Sequence, residues 1–153
     1  MQPQANRDAV FIEIEIGAPP ERVFHALSDA AELSIWWNEQ GVNNARPWQV
    51  EARLGGLWKT GGTSQGHGDW ETWGEIIEFD PPRVLAMTWN ERLDKPRPFG
   101  QTVVRYELEP TASGTKLRLT HSGFASHREA FDDYSKGWHP VLGMLRDYFV
   151  TLS

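Results

Sequence analysis

The chain has 153 residues, enough for one domain with one core, and its 21 acidic against 15 basic residues leave a net charge of −6. That balance opposes binding to a phosphate backbone, which needs clustered Lys and Arg, so no nucleic-acid partner is expected. The absence of cysteine removes disulfides and Cys-ligated zinc, and no apolar run approaches the ~20 residues of a bilayer span, so no membrane insertion is expected.

Residues 1–8 are polar, lack an apolar leader segment and read as a disordered or extended N-terminus, which makes the cytoplasm the expected compartment. Residues 9–153 read as a single domain. Val10, Ile12, Ile14 and Ile16 alternate with Glu13 and Glu15, the pattern of a half-buried strand. Gly17-Ala18-Pro19-Pro20 ends it. Pro20 suits a first helical turn, where its missing N–H is harmless, and Glu21 suits the positive end of a helix. Val23, Phe24 and Leu27 recur at helical spacing, and Ser28 or Asp29 caps a second short helix running towards Trp36-Trp37.

From Val50 onward the pattern is almost all strand. Residues 50–54 and 57–60 flank the Gly55-Gly56 turn, and residues 61–69, with Gly61, Gly62, Gly66 and Gly68, read as a mobile loop. Strands are expected over 70–79, 84–90, 101–109 and 116–121, separated by Asp80-Pro81-Pro82, by a loop over 94–100 and by a turn over 112–114. The chain ends in a helix. Ser126 with Glu129 has capping-box spacing, and Phe131, Tyr134, Trp138, Val141, Leu142, Leu145, Tyr148, Phe149 and Leu152 form an apolar stripe. Pro140 is expected to kink or divide this helix.

One strand, two short helices, six antiparallel strands and one long helix predict an α+β fold. In it, a curved antiparallel sheet of six to seven strands wraps around the terminal helix. The wedge between sheet and helix is either filled or left as a cavity.

Eight tryptophans make that wedge unusual. Trp89 shares a strand face with Met87, Trp58 follows the Gly-Gly turn, and Trp138 lies in the helix stripe. These three, with Trp36, Met87, Tyr106, Leu119, His121 and Leu142, are the expected walls of a ligand site. Trp36 and Trp37 fall where a lid belongs, one inward and one at the rim, and Trp70 and Trp73 point to opposite strand faces. Trp48 has no evident place.

No catalytic set stands out. Gly62-Thr63-Ser64-Gln65-Gly66 has the spacing of a nucleophile elbow but lacks the following helix. The five histidines offer no ligand pair on one helix, so no metal and no cofactor are expected. His121, on the face of Leu117 and Leu119, and Glu78, on the face of Gly74 and Ile76, are the two weak acid/base candidates; Glu78 is also a candidate partner of Arg53.

The motifs Ala18-Pro19-Pro20-Glu21-Arg22-Val23-Phe24, Trp36-Trp37, Arg53-Leu54-Gly55-Gly56-Leu57-Trp58, Gly74-Glu75-Ile76-Ile77-Glu78-Phe79-Asp80-Pro81-Pro82, Leu119-Thr120-His121-Ser122-Gly123-Phe124 and Gly137-Trp138 occur in this order over most of the chain. This order resembles the START-like (SRPBCC, helix-grip) superfamily. Within it the chain is similar to the branch related to the C-terminal domain of the activator of the ninety-kilodalton heat-shock chaperone's ATPase. The resemblance implies a START-like domain over 9–153 that binds a small hydrophobic ligand between sheet and helix. Two alternatives are a cyclase- or hydrolase-like enzyme using the same cavity, and a chaperone or stress-response accessory protein with a chaperone contact. A monomer or homodimer is expected.

Overall fold

The computed structural model describes residues 9–37, 42–64, 68–94, 100–125 and 127–152. The elements are β1 (Ala9–Ile16), α1 (Pro20–Ser28), α2 (Ala30–Trp36), β2 (Val42–Val50), β3 (Leu57–Ser64), β4 (Gly68–Asp80), β5 (Val84–Leu93), β6 (Thr102–Thr111), β7 (Gly114–Ser122) and α3 (Arg128–Leu152). The strands form one seven-stranded antiparallel sheet in the order β1-β7-β6-β5-β4-β3-β2. This is the expected α+β helix-grip architecture, with hairpins from β2 to β7 and β1 returning to pair with β7.

Local signals account for the helix starts. Pro20 opens α1, and the Asp29 carboxylate accepts from the Glu32 backbone N–H at 3.0 Å, so Asp29 rather than Ser28 caps α2. Phe24 meets Phe79 edge-on at 5.5 Å, which seats α1 on the sheet. The expected cap at Ser126 lies outside the described residues, as do residues 1–8.

Three expectations change. β2 begins at Val42 and ends at Val50, where a strand over 50–54 was expected, because Asn43, Asn44 and Pro47 hide the alternation and the β2–β3 register shifts twice. β3 continues through Gly61 and Gly62 to Ser64, so most of the expected loop is a hairpin paired with β4. Finally, α3 runs unbroken through Pro140. Lys136, whose carbonyl loses its donor there, and Pro140 are both exposed, so the lost hydrogen bond falls on the solvent side of the helix, where it is least costly.

The core lies between the concave sheet face and α3. Ile12, Leu85, Val104, Tyr106, Leu117 and Leu119 meet Val141, Leu142, Leu145 and Phe149 in one apolar cluster. The convex face carries ion pairs instead, Arg118 with Glu13 at 2.7 Å and Arg105 with Glu107 at 2.7 Å. Such exposed pairs contribute little to stability.

Candidate functional site

Six of the eight tryptophans touch one another. Trp37, Trp48, Trp58 and Trp89 form a closed circuit with ring-centre separations of 4.8, 5.7, 4.6 and 6.4 Å. Trp138 of α3 stands edge-on against Trp37 at 5.6 Å and Trp89 at 5.5 Å, and Trp36 stacks on Trp37 at 5.4 Å. Each such pair adds about 0.5–1.5 kcal/mol beyond the area it buries. Trp36, Trp58, Trp89 and Trp138 are buried; Trp37 and Trp48 are half-buried at the rim.

The sequence places Trp58 in this arrangement through a glycine. Gly74 is its cross-strand partner, and a Cβ there would collide with the Thr88 carbonyl and lie 2.7 Å from the Trp58 indole nitrogen. Without that Cβ, the Trp58 indole crosses β4 and donates to the Thr88 carbonyl at 3.0 Å. Trp36 likewise donates to the Ala26 carbonyl at 2.9 Å.

His121 is completely buried within a chain of four groups. The Trp138 indole donates to His121 Nδ1 at 3.0 Å, His121 Nε2 donates to Thr102 Oγ1 at 2.7 Å, and Thr102 Oγ1 donates to the Trp89 carbonyl at 3.0 Å. An indole N–H can only donate, so Nδ1 must accept and the neutral Nε2–H tautomer is required. Burial pushes the imidazole down to about 3. Both ring nitrogens are occupied, so this histidine braces the core and has no free position for a substrate proton.

Glu78 leaves the concave face. A bulge between Ile76 and Glu78 turns it outward, where Arg105 Nε donates to its carboxylate at 3.0 Å. That pairing with Arg105 replaces the expected one with Arg53, and it places Glu78 on the opposite side of the sheet from His121. Ser64 ends β3, and β4 follows from Gly68, so the Gly-x-Ser-x-Gly run joins two strands; its Gln65 and Gly66 lie outside the described residues.

The remaining expected wall residues, Met87, Tyr106, Leu119 and Leu142, are all buried in the core. Trp58 and Met87, with Trp48, Leu27 and Leu33, border a cavity of about 10 Å³. That is room for one water molecule at most, and the lining is almost wholly apolar.

Two clusters escaped the sequence reading. Glu32 of α2 is buried and joins three helices. Arg22 donates to both its oxygens, at 2.8 Å to Oε1, while His25 Nδ1 lies 2.7 Å from Oε1 and the Tyr148 hydroxyl donates to Oε2 at 2.6 Å. Burial alone would raise this carboxyl, but the hydrogen bonds from Arg22, Tyr148 and His25 outweigh it and hold it at about 2. His25, Asp29 and Glu32 offer ligand atoms within 4.8 Å of one another. The Arg22 guanidinium already neutralises Glu32, so the cluster reads as a helix junction. Its only sequence signal is the spacing of His25, Asp29 and Glu32 by four and three residues.

The second cluster borders the tryptophan circuit. Thr60 and Glu91, each two residues beyond a circuit tryptophan, are the cross-strand partners of Thr72 on the same concave face. The Tyr134 hydroxyl accepts from the Trp89 indole at 3.2 Å and donates to Glu91 Oε1 at 2.7 Å. Thr72 Oγ1 and, two residues away, Trp70 Nε1 are buried with no hydrogen-bond partner among the described residues.

Comparisons with known proteins agree with this architecture. No curated protein matches the chain. An AHSA1 protein from Silicibacter pomeroyi is 24% identical, with a TM-score of 0.77 over 95% of this chain and 99% of its own. A Rhodobacter sphaeroides protein is 22% identical, with a TM-score of 0.79 over 97% of this chain and 95% of its own. Protein MLL2253 of Mesorhizobium loti is 24% identical, with a TM-score of 0.73 over 95% of this chain and 98% of its own. At these identities the likeness concerns the fold. Residues 17–150 match the family described as activator of Hsp90 ATPase homolog 1-like protein. With that match across most of its length, the chain belongs to the activator of Hsp90 ATPase homolog 1-like family, with the START-like helix-grip fold.

Proposed function

We propose that the protein binds a small hydrophobic molecule with a flat aromatic body on its concave face, against Trp58 and Trp89. The observation that carries this reading is the asymmetry of the tryptophan circuit. Trp58 and Trp89 are buried and fixed by indole hydrogen bonds, while Trp37 and Trp48 are half-buried at the rim between α2 and β2. A ligand ring of indole size that displaces Trp48 keeps the stacking on Trp58 and opens the small cavity beneath it. Binding then exchanges one aromatic contact for another and needs no large preformed void. Catalysis by His121 is not part of this reading, because both its nitrogens are engaged.

Titration of the intrinsic tryptophan fluorescence with flavonoids, polyketides and fatty acids tests it. Saturable quenching by flat aromatic members is expected, with an altered affinity in Trp48→Ala. A complete lack of saturable response in both proteins would count against ligand binding.

A second reading, an accessory protein that contacts a chaperone, is favoured by one observation. On the convex face, exposed Leu57 pairs with Glu75, so Trp73 and Ile77, both also exposed, lie diagonally beside it. If this patch meets the chaperone Hsp90, replacing Leu57 and Trp73 with Ser should abolish any effect of the protein on the Hsp90 ATPase rate. An unchanged effect would dismiss the patch.

A further inference from the structure

We infer that Thr72 and Trp70 form a polar subsite that recognises a hydroxyl or carbonyl group on the bound aromatic molecule. This deepens the proposed function and rests on it.

Buried polar groups in folded proteins almost always have partners, and each exception asks for an explanation. Here two exceptions fall two residues apart on one strand face. Thr72 is more than nine-tenths buried, and among the described residues its hydroxyl meets no acceptor or donor. The Trp70 indole N–H is buried and meets no acceptor among the same residues. Residues two apart on one face of a strand are about 7 Å apart along the backbone, so the two side chains are neighbours.

Their position gives the pair its meaning. Thr72 lies between Thr60 and Glu91, in the row next to Trp58 and Trp89. A flat molecule stacked on those two indoles would have this polar row along one edge and Ile76 and Met87 along the other. Gly62, the cross-strand partner of Trp70, leaves the neighbouring part of the face without a side chain.

The chemistry of the lining selects the ligand. Trp70 Nε1–H can only donate, so the ligand must present an acceptor. Thr72 Oγ1 can donate or accept, so a hydroxyl or a carbonyl satisfies it equally. Glu91 stands beside Thr72 and already accepts from Tyr134, so a ligand carboxylate would face an acidic neighbour. The class that fits is a neutral phenol, alcohol or ketone on an aromatic frame; a fatty acid does not fit.

Calorimetry with two matched probes, 2-naphthol and 2-methylnaphthalene, tests this on the full chain. They share shape and differ by a hydroxyl against a methyl group. We expect 2-naphthol to bind at least about tenfold more tightly, the worth of one good hydrogen bond in a buried site. Thr72→Val should remove that advantage and leave 2-methylnaphthalene unaffected, whereas Thr72→Ser, which keeps the hydroxyl, should retain it. Equal binding of the two probes, unchanged by Thr72→Val, would overturn the subsite while leaving the aromatic site intact. Failure of both probes to bind would overturn the site and the subsite together.

Discussion

On one concave face, His121 has a partner on each ring nitrogen, while the Thr72 hydroxyl and the Trp70 indole N–H have none among the described residues. All of these polar atoms are buried, so the difference is one of completion. An unpaired buried polar group costs about 1–3 kcal/mol, a large share of the stability of a small domain. Around His121 that cost is removed by a closed relay from Trp138 to the Trp89 carbonyl. Around Thr72 it persists in the free protein. Trp138, joined to His121, braces the sheet against α3, whereas Trp70, beside Thr72, borders the proposed ligand site.

The largest effect should come from the completed end. Trp138→Ala removes a buried ring and leaves His121 Nδ1 without its donor, so a loss of about 3–5 kcal/mol is expected in chemical denaturation. Trp70→Ala should lose less, because it also deletes an unsatisfied N–H. Equal losses would erase the distinction between the two ends.

Acid should act on the completed end next. His121 has its proton affinity lowered on folding, from 6.5 to about 3, so the unfolded chain binds the extra proton as pH falls. Stability is therefore intact above pH 6.5 and declines below it by about 1.4 kcal/mol per pH unit, or about 3 kcal/mol by pH 4.5. Glu32, lowered from 4.5 to about 2, contributes stability that is present above pH 4.5 and disappears as pH falls towards 2. His121→Asn keeps an acceptor for Trp138 and cannot titrate. Denaturation midpoints measured against pH should then stay level between 6.5 and 4.5 and fall only below that. A variant with the same decline as the parent would remove His121 from the explanation.

Gly74→Ala should cost about 1–3 kcal/mol by overpacking, because the new methyl meets the Thr88 carbonyl and the Trp58 indole nitrogen. The smallest effect has the opposite sign. Thr72→Val, nearly isosteric, removes an unpartnered hydroxyl and should raise the stability of the free protein by about 1 kcal/mol, read from the thermal midpoint. A destabilised Thr72→Val would mean that the hydroxyl is already satisfied.

The fold was largely legible because its signals are local. Val10 to Ile16 alternates, Pro20 and Asp29 mark the helix starts, and the stripe on α3 is continuous. β2 was not legible, since Asn and Pro residues and two register shifts break its alternation. That omission left Trp48 without a place, although it closes the circuit with Trp37 and Trp58. Alternation put Glu78 on the concave face, and one bulged residue reversed it, because strand faces exchange with every single-residue slip. His121 was correctly turned inward, but its role depends on Trp138 and Thr102, distant in sequence. No pattern within one strand could reveal that Thr72 and Trp70 lack partners, because that follows from what the other elements fail to bring there.

Ligand binding is proposed to displace the rim of the circuit while the His121 end stays fixed. The most direct measurement is the nitrogen-15 spectrum of the indole N–H groups during titration with 2-naphthol. The Trp48 and Trp70 resonances should move while those of Trp36 and Trp138, held by the Ala26 carbonyl and His121, should not. Uniform shifts of all four, or movement of Trp138 without Trp48, would contradict it.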